Sequence, residues 1–206
     1  MGLVIRAHDE QTMGDAYGFD GSFLVESELA LFAEHGVIRY QVVPVPPYVK
    51  RYQTGDRPAH PDAPDRWVFV ALLDGSLAGR IVLSEGWSRY AWVEDIAVDA
   101  GHRRAGVGRA LMDHAIAWAL ERGLPGIRLE TQNNNVPACK FYESCGFRLG
   151  GFDRDLYRGL DEATTEIALF WYLPLLERPT EDGCLRPEGA GEFSTDDLQP
   201  SSRQEQ

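Results

Sequence analysis

The stretch Val93–Ala110, VEDIAVDAGHRRAGVGRA, constrains this chain more than any other. It opens with the β-branched Val93, Ile96 and Val98, a strand composition interrupted by Glu94 and Asp95. Asp99-Ala100-Gly101-His102 is a turn composition. Arg103-Arg104-Ala105-Gly106-Val107-Gly108 then leads into an apolar-periodic segment that reads as a helix. Glycines and basic residues at a helix start suit a phosphate. The first-turn N–H groups have no intrahelical partner, the dipole places about half a positive charge there, and glycine lets the backbone come close. Arg103, Arg104 and Arg109 add charge for a diphosphate.

Several readings of this loop compete. A dinucleotide-binding turn needs G-x-G-x-x-G directly after its strand. Here Leu111 stands in place of the third glycine and several residues separate strand from glycines, although Glu130 lies at a suitable distance downstream. A Walker loop needs Gly-Lys-Ser/Thr, and Gly108 is followed by Arg109. The third pattern is R-x-x-G-x-G, spelled by Arg103, Gly106 and Gly108. An ordinary glycine-rich turn is the remaining alternative.

The 206 residues suit one domain with a tail. Net charge is −12, of which −5 falls after residue 176, where eight acids meet three arginines. That balance argues against nucleic acid and anionic membrane as partners and is compatible with a cationic ligand. No run of about 20 apolar residues exists. Cys139, Cys145 and Cys184 form neither a CxxC nor an even disulfide framework, and the N-terminus lacks a signal pattern. The cytoplasm is the expected location. A homodimer is left open.

In chain order, strands are expected at Leu3–Arg6, Ser22–Glu28 and Val37–Val45, with 30–35 either a helical turn or a hairpin connection. Pro44–Asp65 holds six of the twelve prolines and reads as a long irregular connection with one helical turn around Tyr48–Tyr52. It is either a disordered insertion or a substrate-side flap. Trp67–Leu73 and Leu77–Leu83 form a hairpin about Asp74-Gly75, and Trp87–Val98 is the next strand. A helix from Gly108 to about Arg122 puts Leu111, Ala115, Trp118 and Ala119 on one face, and Gly123 and Pro125 end it. His114 beside that face reads as structural. Ile127–Thr131 is a strand, and Pro137 opens a helix through Ser144 with Asn135 or Val136 as its cap. Phe147–Phe152 and Thr165–Leu173 are the last strands, with Asp155–Arg158 continuing or interrupting the first of them. The expectation is an α/β (α+β) chain with a mixed sheet flanked by helices. Residues 1–66 and 67–176 belong to one domain, and 177–206 form a disordered acidic tail.

A second motif gives the loop its context. Asn135-Val136-Pro137-Ala138 and Phe141-Tyr142-Glu143-Ser144-Cys145-Gly146-Phe147 resemble the N-x-x-A…FYxxxGF pattern of the GNAT N-acetyltransferases, at that family's spacing from Arg103-x-x-Gly106-x-Gly108. LETQNNN at 129–135, RYAWVEDIAV at 89–98, PPYVKRY at 46–52 and FWYL at 170–173 further resemble the streptothricin acetyltransferases within it. The resemblance implies a splayed sheet, acetyl-CoA as cosubstrate, and a small cationic amine as acceptor, here the β-lysine moiety of streptothricin; no His/Cys/carboxylate set has metal-ligand spacing, so no metal is expected. Another polyamine, aminoglycoside or lysine-like amine is the alternative acceptor. A non-catalytic acyl-CoA-binding protein is the alternative of a different class.

Amide formation needs an amine that loses a proton, attacks a thioester and releases a thiolate. If the resemblance holds, Glu94 and Asp95 lie beside the reacting carbon, with a bulge letting both reach the cleft. Glu94 is then the water-mediated base and Asp95 the clamp on the substrate ammonium. The backbone near Ile96 polarises the thioester carbonyl, and Ile96 and Val98 pair with pantetheine amides. Gly106, Val107 and Gly108 hold the diphosphate with the arginines. Tyr142 is the general acid for the thiolate, since a phenol near pKa 10 can protonate a thiolate of about 8.5. Asn135 holds the pantetheine arm, caps a helix, or both. Cys139 and Cys145 have no histidine nearby in sequence and read as small buried groups, so transfer is direct. Tyr40, Tyr48, Tyr52 and Trp92 line a cationic pocket or pack the core.

Overall fold

Local turn chemistry sets the sheet. Asp74 and Gly75 take φ of 50° and 84°, the left-handed pair that a tight hairpin requires. They join β4 (Arg66–Leu73) to β5 (Ser76–Glu85), and β1 (Leu3–Ala7) adds antiparallel to β4. In this computed structural model the described residues are 2–9, 18–19, 21–51 and 65–176. They carry nine strands and two α-helices, α1 (Val107–Glu121) and α2 (Val136–Ser144). The main sheet runs β1-β4-β5-β6-β7-β9-β8, with β6 (Ala91–Val98), β7 (Gly126–Gln132), β8 (Arg148–Asp153) and β9 (Ala168–Pro174).

Within it only β6 and β7 are parallel, and they pair through just Ala91↔Ile127, Trp92↔Arg128 and Val93↔Leu129. Beyond Val93 the two strands part. The cause sits on the other side of β6. Val82 faces Asp95 while Leu83 faces Val93, so Glu94 is the extra residue of a bulge that bends the strand away.

Helix α1 crosses the sheet on the stripe Leu111, Ala115, Trp118 and Ala119, all buried as the 3.6-residue period predicts, with Val107 and Met112 beside them. Gly79 lets it lie close: a Cβ there would stand 2.8 Å from the Ala97 carbonyl and 3.0 Å from Val107. The helix ends in a Schellman motif, Leu124 N to Ala119 O (3.0 Å) and Gly123 N to Leu120 O (2.9 Å), with Leu124 buried.

Four expectations are corrected. The segment Trp87–Tyr90 is not strand: the Gly86 amide donates to the Tyr90 carbonyl, β6 starts at Ala91, and Trp87 is 92% exposed. Residues 30–34 are neither helical turn nor connection. They continue β2 (Phe23–Glu34) into a turn at His35-Gly36, both at positive φ. The irregular Pro44–Asp65 connection with a helical turn at Tyr48 begins instead as β3 (Val37–Lys50). Its prolines are tolerated because β2 and β3 form a separate two-stranded ribbon, where β3 keeps one unpaired edge. Last, β9 starts at Ala168 rather than Thr165, and a single 3₁₀ turn at Leu156–Gly159 separates it from β8. The rest of the proline-rich segment, 52–64, and the tail after Leu176 lie outside the described residues.

The ribbon occupies the interval between β1 and β4 and folds against the β7–α2–β8 end. The Leu29 amide donates to the Asn133 carbonyl (2.9 Å), and Val25 and Leu29 are buried. Tyr40 donates to Glu143 of α2 and accepts from Lys140 (2.6 Å), whose ammonium also lies 4.6 Å from the Tyr40 ring centre.

Candidate active site

The parting of β6 and β7 opens a cavity of about 840 Å³. Glu94 to Val98 wall one side, Glu130 to Gln132 the other, the Arg103–Arg109 turn closes one end, and α2 contributes Asn135, Phe141 and Tyr142. Gly21 and Phe23 of the ribbon's approach complete the lining. Glu94, Asp95, Ile96, Val98, Arg103, Arg104, Gly106 to Arg109, Asn135 and Tyr142 thus all border one space, and Tyr40, Tyr48 and Trp92, named for a cationic pocket, do not.

The turn into α1 has the shape of an anion site. Gly106 is the N-cap at φ 83°, and the preceding Arg104 also takes positive φ, 65°, a strain of about 1 kcal/mol or more for a non-glycine residue. A Cβ on Gly106 would meet nothing within 4 Å, so this side of the turn is open, and first-turn amides of a helix are suited to an anion. Arg103 and Arg104 are exposed beside it. Arg109 is differently engaged. It donates to the Ser144 carbonyl (2.8 Å) and Cys145 Sγ (3.6 Å) and pairs with Asp113 (3.3 Å), tying α1 to the end of α2. The side-chain oxygen of Asn135 accepts from the Ala138 amide (3.3 Å), so it caps α2 while lining the cavity.

The acidic pair on β6 is partly buried and paired. Glu94 Oε2 lies 2.5 Å from Arg66 Nε, and Asp95 Oδ2 lies 2.7 Å from Nη2 of Arg80, a guanidinium only 1% exposed. Both acids border the cavity, but each faces an arginine that the sequence reading had not joined to it. A lone arginine inside the apolar run LAGRIVL was the available signal: a buried guanidinium demands a carboxylate.

Across the gap stands a residue that reading had placed only in a rejected dinucleotide pattern. Glu130 borders the cavity, and burial together with the nearby Glu166 charge pushes its carboxyl up to about 7. The Tyr157 hydroxyl donates to it. Tyr142 is buried in α2 between the rings of Phe141 and Phe147, with centroids 5.6 and 6.0 Å away, and borders the same space. Cys139 is buried and its thiol is pushed up to about 12, mainly by desolvation, which removes the thiolate that acyl transfer through cysteine would need. His114 sits edge-on to Phe69 (4.3 Å) and burial lowers its pKa. Of the four aromatics considered for a cationic pocket, Tyr40 holds Lys140, Trp92 carries Arg128 at 4.0 Å, Tyr48 accepts from Asn134 (2.9 Å), and Tyr52 lies outside the described residues.

A sheet split after three parallel pairs, with a glycine–arginine helix start feeding the gap, is the arrangement that the resemblance to acetyl-CoA-dependent transferases implies. The sequence profile described as the acetyltransferase (GNAT) family matches residues 37–147, and the chain belongs to that family as an acetyl-CoA-dependent N-acetyltransferase. It is 43% identical to a streptothricin acetyltransferase of Escherichia coli over 128 residues, 62% of this chain and 71% of that one. The Streptomyces lavendulae streptothricin acetyltransferase is 36% identical over 165 residues, 76% of this chain and 87% of its own. Among solved structures, a candidate streptothricin acetyltransferase from Bacillus anthracis str. Ames, in complex with acetyl coenzyme A, superimposes with a TM-score of 0.76 at 42% identity. The match covers 84% of this chain and 99% of the other. No helix among the described residues is long and apolar enough to cross a membrane.

Proposed function

We propose that this enzyme acetylates a primary amine of a small cationic antibiotic, first among candidates the β-lysine moiety of streptothricin, and so confers resistance to it. One observation carries the reading: a single cavity is bordered by the glycine–arginine start of α1 at one end and, where the strands part, by Glu94, Asp95 and Glu130 together with the buried Tyr142. The curated relatives supply the acceptor.

Acetyl-CoA brings the activated acyl group. Gly106, Val107, Gly108, Arg103 and Arg104 would hold its diphosphate, the unpaired edge of β6 at Ile96 and Val98 would run beside the pantetheine, and Asn135 would flank that arm. Arg109 acts by fixing α2 against this loop. Glu130 takes the proton of the ammonium as the amine becomes nucleophilic, because a carboxyl near 7 accepts a proton at neutral pH with little driving force lost. Tyr142 returns a proton to the leaving thiolate. This gives the base role to Glu130 instead of Glu94. Glu94 and Asp95, each already paired to an arginine, hold the bulge in shape and present weak negative potential to the acceptor.

The test is release of free coenzyme A thiol over a panel containing streptothricin, spermidine, an aminoglycoside, free lysine and a peptide with N-terminal alanine. Streptothricin should give the highest kcat/KM by at least tenfold. Equal or greater turnover of another member removes the acceptor assignment. No turnover with any removes the catalytic one.

A further inference from the structure

The connection from β8 to β9 is wound around one partly buried side chain. From Arg154 to Ala163 every residue is exposed except Tyr157. Side-chain and backbone caps fix the chain on either side of it. The Asp153 carboxylate accepts from the amides of Asp155 (2.8 Å) and Leu156 (3.2 Å) and so opens the 3₁₀ turn Leu156–Gly159. Arg158 pairs with Asp155 (3.1 Å). The Tyr157 carbonyl accepts from the amides of Leu160 (2.9 Å) and Asp161 (3.0 Å), and the Asp161 carboxylate accepts from the Ala163 amide (3.0 Å). The connection therefore carries its own scaffold, and it delivers one phenol from a fixed backbone position while the neighbouring side chains stay in water. The hydroxyl of that phenol donates to Oε1 of Glu130, 27 positions earlier in the chain.

We propose that Tyr157 is a positioning residue for Glu130: its hydroxyl fixes one carboxylate oxygen and so leaves the other to take the proton of the acceptor amine. The inference rests on Glu130 being the proton acceptor. The terminal torsion of a glutamate is broad and roughly two-fold, so a single donor on one oxygen selects the plane of the carboxylate. Proton transfer needs that plane, because the basic oxygen must stand within hydrogen-bond reach of the amine. Glu130 borders the cavity and Tyr157 does not, so the tyrosine acts through the carboxyl and not on the substrate. The charged groups around Glu130 are engaged with partners of their own. Arg128, on the same face of β7, stacks on Trp92 (4.0 Å). Across the cavity Glu94 and Asp95 face Arg66 and Arg80. Ahead of β9, Glu166 is held by Lys50 (2.5 Å) and Asn134 (3.0 Å). On α2, Lys140 and Glu143 meet each other (3.0 Å) and both meet Tyr40, while Tyr142 borders the same cavity. Tyr157 is placed differently from all of these, since its hydrogen bond ends on the Glu130 carboxyl itself.

The experiment uses the full chain and three readouts: kcat, the acid limb of kcat/KM with streptothricin, and a carbon-13 titration of the Glu130 carboxyl, assigned by its absence in Glu130→Gln. Tyr157→Phe keeps the ring and removes the donor. It should lower kcat about tenfold and leave KM for acetyl-CoA unchanged. A hydrogen bond donated to a carboxylate favours its charged form, so the same variant should move the acid limb and the titration upward by about one unit. In a Glu130→Gln background the substitution should cost no further kcat, because the group it acts through is gone. A 3-fluorotyrosine at position 157 is a stronger donor of nearly the same size. It should move both pH positions downward, and it is the variant to read if Tyr157→Phe does not fold. A role in folding alone would lower the melting temperature and leave both pH positions in place. Unmoved positions, or an equal loss of kcat with and without the Glu130 carboxyl, overturn the proposal. If Glu130→Gln keeps wild-type kcat, Glu130 is not the acceptor and that earlier reading fails. The titration then decides alone whether Tyr157 holds this carboxyl, a shift on removing the hydroxyl supporting it and the absence of one ending it.

Discussion

The two walls of the cavity are built in opposite ways. The β6–α1 wall is a single run of sequence: bulge, turn and helix start follow one another from Val93 to Arg109, and its ligand-facing groups are largely backbone amides opened by Gly106 and the positive φ of Arg104. The β7 wall is instead backed by contacts between side chains far apart in the chain, from the ribbon, the turn after β8 and the approach to β9. Lys50 meets Glu166 across 116 positions, Tyr48 meets Asn134 across 86, and Tyr157 meets Glu130 across 27. A backbone site binds what all substrates of the family share, and its geometry is fixed once the turn forms. A side-chain site can be retuned one residue at a time, which suits the part of the reaction that differs between acceptors.

The largest effect expected is on the backbone wall. Gly106→Asp introduces a negative side chain into the open space above the first-turn amides. A Cβ there would meet nothing within 4 Å, and the φ of 83° adds a strain of about 1–2 kcal/mol, so the fold should survive at somewhat lower stability. Calorimetry with coenzyme A should find affinity reduced about 100-fold or more. A folded variant with wild-type affinity would take the diphosphate away from this turn.

Next come the residues proposed for proton transfer. Glu130→Gln should lower kcat by about 10²- to 10³-fold, and Tyr142→Phe by about 10²-fold, each with little change in coenzyme A affinity. Pre-steady-state rates establish that chemistry limits turnover, and an unimpaired Tyr142→Phe under those conditions makes this tyrosine a packing residue only. Glu130→Gln carries an opposite signature in stability. A carboxyl raised from 4.5 to about 7 binds its proton more tightly folded than unfolded, so it costs stability as pH rises through that interval. The glutamine variant should therefore be more stable than wild type at pH 8, by up to about 3 kcal/mol, and the advantage should vanish near pH 4.5. Thermal denaturation at the two pH values measures it.

The smaller effects test the β6 acids. Asp95→Asn weakens the partner of a buried guanidinium and should cost about 2 kcal/mol in chemical denaturation. Glu94→Gln should change kcat by only a few-fold, because its charge is spent on Arg66. A hundredfold loss of kcat in Glu94→Gln with Glu130→Gln unaffected would reverse the assignment of base between the two walls.

What could be read beforehand follows the same division. The order of strands and helices from residue 66 onward, the Asp74-Gly75 hairpin and the Schellman end at Gly123 are written in contiguous residues whose conformational preferences act locally. The glycine–arginine turn into α1 was legible for the same reason. The ribbon was legible in part: strands were expected at Ser22–Glu28 and Val37–Val45, but Pro44, Pro46 and Pro47 argue against carrying the second on to Lys50 unless one knows that its partner is a single neighbour. Glu130 was passed over because its character comes from burial and from Glu166, 36 positions on, neither of which leaves a mark on the residues around it. Likewise Glu94 and Asp95 looked like free carboxylates until the sheet register brought Arg66 and Arg80 against them.

The parting of β6 and β7 has a consequence for measurement. Past Val93 and Leu129 each strand keeps an edge of amides and carbonyls turned inward to water. A pantetheine amide chain lying there would act as the strand the sheet lacks, and every hydrogen bond it completes belongs to the folded state alone. The melting temperature then becomes a concentration gauge for acetyl-CoA. At 100 times the dissociation constant the gain is about 2.7 kcal/mol, enough to follow cofactor binding in intact cells by heating them and counting the enzyme that stays in solution.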